Sequence, residues 1–126
     1  MPKIYFYDTG LLCYLLNIET PEQLENHPLK DSIFENMAVG ELMKKRFNEA
    51  KDHNLFFYRE QSGREVDVVS ITAEGVNLYE IKAAKMLRAD YLENLQYLKA
   101  ILPNVATANV IFNGETLGSV INIRDI

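Results

Sequence analysis

Two consecutive apolar runs carry charges in their interiors. They are Gly63-Arg64-Glu65-Val66-Asp67-Val68-Val69-Ser70-Ile71 and Gly75-Val76-Asn77-Leu78-Tyr79-Glu80-Ile81-Lys82. Both have the β-branched and aromatic content of β-strands. A charge inside a strand is costly unless it is paired or holds a metal. Alternation along a strand predicts that Asp67 shares a face with Val69 and Ile71, and that Glu80 and Lys82 share one with Val76 and Leu78. If the two strands are neighbours, the three ionisable groups can converge.

The chain has 126 residues, enough for one domain with one core. Its formal net charge of −5 gives no basic field for nucleic acid. A carboxylate cluster loaded with a cation would reverse that sign locally, so the charge does not exclude such a partner. Cys13 is the single cysteine, which leaves no intrachain disulfide and no cysteine-based zinc site. A reducing cytoplasm is the expected compartment. No apolar run reaches the length of a membrane span, so no membrane partner is expected.

From the N-terminus, Lys3-Ile4-Tyr5-Phe6-Tyr7 reads as extended and aromatic. Asp8 reads as the N-cap of a short helix from Gly10 to Leu16. These aromatics and leucines need a covering surface, from this domain or another. Thr20-Pro21-Glu22-Gln23 is a helix start with a capping box. Asp31 or Ser32 should cap a longer helix from about Ile33 to Ala50. On its wheel Phe34, Ala38, Val39, Leu42 and Met43 form an apolar arc with Glu35 inside it, while Asn36, Glu41, Lys44 and Lys45 carry the polar side. Glu35 reads equally as a first-turn acid favoured by the helix dipole.

Leu55 to Arg59 is a third strand candidate, and Met86 to Leu102 a helix with Leu87, Tyr91, Leu95, Leu98 and Leu102 on one side. Thr107 to Phe112 is a further strand and Ser119 to Ile123 a marginal last one. The helix between the third and fourth strands predicts a parallel crossover. The fold class is therefore α/β, a mixed sheet flanked by helices.

Glu35 on a helix, Asp67 in a strand and Glu80-Ile81-Lys82 in the next strand resemble the PD-(D/E)xK nuclease core, whose restriction-endonuclease-like order is αβββαβ. Three blocks are similar to the C-terminal, nuclease-like domain of unknown function in bacterial and archaeal AAA-type ATPases. They are Tyr5 to Leu12, Ile33-Phe34-Glu35-Asn36, and Phe57-Tyr58-Arg59 through Val66-Asp67-Val68 to Glu80-Ile81-Lys82-Ala83-Ala84-Lys85. Family members carry a P-loop module before this domain, and no G-x-x-x-x-G-K-[ST] run occurs here. The resemblance implies that residues 1–30 are a small helical annex at the junction to an ATPase module, and residues 31–126 a nuclease-like domain excised from a longer protein.

The implied activity is divalent-metal-dependent phosphodiester hydrolysis. Mg²⁺ or Mn²⁺ takes hard oxygen ligands and can activate water and neutralise phosphate. Asp67 and Glu80 would be ligands, with the Ile81 carbonyl a third. Lys82 would stabilise developing negative charge. Glu35 would hold a water of the cation or a second ion. Arg59, Arg64, Lys85 and Arg88 are candidates for phosphate contacts. DNA is a candidate partner, with DNA versus RNA left open by the sequence, and a homodimer is compatible with the pairing of many nucleases of this core, although no residue here marks one. Two other readings fit the same residues. Asp67, Glu80 and Lys82 could form a satisfied ion-pair network on a sheet face. The fold could also be a catalytically inactive module that binds nucleic acid or protein and regulates the ATPase. His27 and His53 lack ligand-spaced partners and read as surface residues, and Cys13 reads as a small core residue.

Overall fold

The structure, a computed structural model, describes residues 2–126. Three helices come first: α1 Thr9–Leu15, α2 Pro21–Glu25 and α3 Lys30–Asn48. Three strands follow, β1 Leu55–Arg59, β2 Glu65–Thr72 and β3 Gly75–Ile81. Helix α4, Glu93–Ile101, then leads to β4 Val105–Phe112 and β5 Val120–Asn122. The five strands form one mixed sheet in the order β1-β2-β3-β4-β5. β1, β2 and β3 pair antiparallel, while β3 with β4 and β4 with β5 pair parallel. The expected parallel crossover through the second long helix is present.

The sheet is covered on both faces. Ala38, Val39 and Leu42 of α3 pack with Val68, Ile81 and Ile111 on one face. Leu95 and Leu98 of α4 pack with Val66, Leu78, Val110 and Phe112 on the other. Long apolar side chains at helical spacing on α4 explain its docking, since the two leucines are almost wholly removed from water. No helix among the described residues is long and apolar enough to cross a membrane.

Several local expectations shift. α3 starts at Lys30, without a side-chain cap, and Asp31 lies inside its first turn. Asp8 does cap α1, accepting from the Leu11 N–H, and Thr20 with Gln23 closes the capping box of α2. The helix expected from Met86 begins only at a 3-10 turn, Ala89–Leu92, and becomes α-helical at Glu93. The crossover must first leave the sheet. Residues 82–88 make that exit, pinned where the Asn113 N–H donates to the Ala84 carbonyl. Met86 and Leu87 stay exposed, so their place in the leucine pattern buries nothing.

The simple alternation expected for β2 fails at Asp67. Phe56 pairs with Val69 and Tyr58 with Val66, so two steps along β1 oppose three along β2. The extra residue is a β-bulge at Asp67–Val68, which re-aims side chains. Val66 and Val69 pack towards α4, whereas Val68 packs towards α3. Ile71, expected on a core face, is 47% exposed.

Candidate acidic site at the β2 bulge

The bulge places Asp67 where β2 and β3 part. Backbone pairing of these strands runs from Thr72 with Gly75 to Val68 with Tyr79. Beyond it the Ile81 N–H donates to Asp67 Oδ2 at 2.8 Å. Ile81 therefore meets the site through its N–H. The other carboxylate oxygen, Oδ1, lies 3.8 Å from Lys3 Nζ. Glu35, projecting from the first turns of α3, brings Oε1 to 3.4 Å from the same ammonium. Lys3 also stands over the Phe57 ring, 5.1 Å from its centre.

Glu80 follows Leu78 on β3 and is 4% exposed. Burial, then the hydrogen bond to Asp67 and its charge, push the Glu80 carboxyl up to about 9, against the pull of Lys82. Near neutral pH the Glu80 carboxyl thus retains its proton, as expected for a buried carboxyl beside another acidic group. Burial and Asp67 also raise Glu35, and Lys3 opposes them. The Tyr5 hydroxyl is raised by burial and by the negative charges of Glu35 and Asp67. Asp67 is thus the common neighbour of Glu35 and Glu80.

The candidate cations divide. Lys82 lies near enough to lower Glu80, yet its ammonium is over the Tyr91 ring at 5.5 Å. Arg59 pairs with Glu65 at 3.1 Å, and Arg64 stacks 4.1 Å over Tyr97. Arg88 pairs with Asp90, and Lys85 lies by Glu25, beyond the carboxylates. None of these five makes a salt bridge to Glu35, Asp67 or Glu80 among the described residues.

A cleft of about 380 Å³ opens beside Asp67, walled by Lys3, Tyr5, His53, Phe56 and Phe57. A second cavity, about 420 Å³, lies between Cys13, Phe34 and Lys85 and includes none of the three site carboxylates. Of the three site carboxylates, Asp67 lines the first cleft.

Three contributors escape a reading of sequence alone. Lys3 and Tyr5 belong to an aromatic run that offers only a packing signal. Asn36, expected on the polar side of α3, is 3% exposed. Its Oδ1 accepts from the Phe6 N–H at 2.7 Å, and its Nδ2 donates to the Phe6 carbonyl at 3.1 Å and to Thr9 Oγ1 at 2.9 Å. The amide works like a strand partner for Phe6, which satisfies a polar group deep in the fold. It also fixes residues 3–9 against α3.

For a hard divalent cation the donor chemistry fits in part. Asp67 and Glu80 offer paired oxygen donors, with Lys3 beside Asp67 and Lys82 near Glu80 as the nearest cations. Mg²⁺ commonly takes one or two carboxylates and completes its shell with water. Among the described residues, no group of three or more His, Cys, Asp and Glu side chains is arranged to hold an ion. A two-carboxylate site is therefore the form these residues support.

No curated protein and no solved structure matches the chain significantly. A family profile described as a domain of unknown function, DUF4143, matches residues 30–124. That stretch runs from the first residue of α3 to the turn after β5, and takes in Glu35, Asp67, Glu80 and Lys82 while leaving Lys3 outside; the chain belongs to the DUF4143 family.

Proposed function

We propose that this domain hydrolyses phosphodiesters with a divalent cation, as a nuclease-like module of an AAA-type ATPase. The observation that supports it is the meeting of Glu35, Asp67 and Glu80 around one bulge, with Lys82 two residues beyond Glu80. The helix, three strands, helix, strand order from α3 to β4 is that of a PD-(D/E)xK core. When bound, Mg²⁺ or Mn²⁺ supplies charge neutralisation and an activated water. Asp67 and Glu80 are the residues that would hold it, and the Ile81 N–H keeps the Asp67 carboxylate oriented. Lys82 can swing from Tyr91 to stabilise charge on the phosphate. Glu35, which shares the Lys3 ammonium with Asp67, would hold a water of the cation. DNA is the substrate class to test first, with RNA beside it.

A second reading is favoured by one observation. Lys3 already lies between Glu35 and Asp67, so the acidic groups are partly neutralised from within. On that reading the domain is inactive and serves interaction and control of its ATPase.

Cleavage of DNA and RNA oligonucleotides with Mn²⁺, alongside calorimetric Mn²⁺ binding, separates the two. Metal binding and cleavage that both disappear in Asp67→Ala support hydrolysis. A folded wild-type chain that binds no Mn²⁺ at millimolar concentration supports the inactive module.

A further inference from the structure

Lys3 is held in place by more than its own charge. Its Nζ is 3.4 Å from Glu35 Oε1 and 3.8 Å from Asp67 Oδ1, with the Phe57 ring beneath. Three residues on, Phe6 is bonded through both its N–H and its carbonyl to the buried Asn36 side chain. Thr9 meets the same amide, and Asp8 caps α1 directly after. The segment is therefore tied down on both sides of Phe6. The ammonium it carries is delivered between a carboxylate of α3 and a carboxylate of β2.

A divalent cation drawn to Asp67 would meet this ammonium within a few ångströms. Two cations at such separation repel by more than thermal energy even at a high effective dielectric. Both also draw on the Asp67 carboxylate. We infer that Lys3 is an internal cation of this site, and that a divalent metal binds Asp67 in competition with it. The inference rests on the metal-dependent reading above. Residues 3–9 then act as a strap that neutralises the site when metal is absent and yields when it enters. Lys3 is a positioning residue, since it acts through Glu35 and Asp67.

Mn²⁺ titration followed by electron paramagnetic resonance, on the full chain, tests this in wild type, Lys3→Met and Lys3→Arg. The expected result is Mn²⁺ affinity roughly tenfold tighter in Lys3→Met and near wild type in Lys3→Arg, which retains the charge. Thermal melts confirm folding, and Lys3→Gln replaces Lys3→Met should the latter not fold. A second readout is the metal-free melting temperature, expected to fall in Lys3→Met and to be recovered by Mn²⁺. Equal or weaker affinity in the neutral variants overturns the competition and leaves the metal site standing. An absence of Mn²⁺ binding in all variants overturns both.

Discussion

Asp67 accepts, through its side chain, the backbone hydrogen bond of Ile81 on the neighbouring strand, at 2.8 Å. The β2–β3 ladder ends one residue before Asp67, so a carboxylate replaces a main-chain carbonyl as the partner of that N–H. A strand connection is thereby joined to an acidic site. The bond is charge-assisted, which makes it stronger than the ladder bond it replaces.

Asp67→Ala leaves the Ile81 N–H without its acceptor and is expected to cost about 1–3 kcal/mol in chemical denaturation. Asp67→Asn can still present an oxygen to that N–H and should recover most of the loss. Both should abolish Mn²⁺ binding. Equal destabilisation by the two variants would show that the acceptor is not what matters at this position.

Stability of the metal-free domain should fall as pH rises from about 4.5 towards about 9. Glu80 has an ordinary value of 4.5 and a folded value of about 9, so the native chain holds a proton that the unfolded chain releases. The unfolded state binds fewer protons throughout that window, and the slope of stability with pH is negative. Glu35, raised in the same direction, adds to it. Glu80→Gln keeps the shape and a donor towards Asp67 while removing the titration. It should be more stable than wild type at pH 7, by something on the order of 2 kcal/mol, and similar at pH 4. Thermal melts across pH check this, and parallel profiles for the two proteins would refute it.

Asn36→Ala removes three hydrogen bonds at a buried position and leaves the Phe6 N–H without its acceptor. A loss of about 1–3 kcal/mol is expected. Hydrogen exchange is the sharper measure. The Phe6 amide should lose protection well before those of β3 and β4. Uniform loss across the domain would mean that residues 3–9 are not a separate strap.

Lys82→Met keeps an aliphatic stem against Tyr91 and removes the ammonium. Its melting temperature should fall only modestly, because a cation–π contact between half-buried groups is worth about 0.5–2 kcal/mol. Any cleavage by the wild-type domain should drop roughly 100-fold or more, as when one group that stabilises developing charge is deleted. Retained cleavage would take Lys82 out of the reaction.

The sequence by itself determined the elements and their order. Leucines at helical spacing marked α4, Thr20 and Gln23 marked the start of α2, and apolar runs marked β1 to β4. These signals are local, because hydrogen-bonding periodicity and caps depend on residues a few positions apart. The carboxylates Glu35, Asp67 and Glu80 were likewise legible, since charges in apolar settings stand out wherever the chain later takes them. Tertiary structure alone decided how they meet. The bulge at Asp67–Val68 exists only through the register of β1 on β2, and it overrides the alternation that a strand has in isolation. Asn36 reads as a polar-face residue until Phe6, 30 positions away, arrives to bond it. Lys3 reads as one cation among 13 until that same contact delivers it to Asp67. Long-range contacts of this kind leave no periodicity in the chain, because their partners are set by the packing of α3 on the sheet and not by sequence spacing.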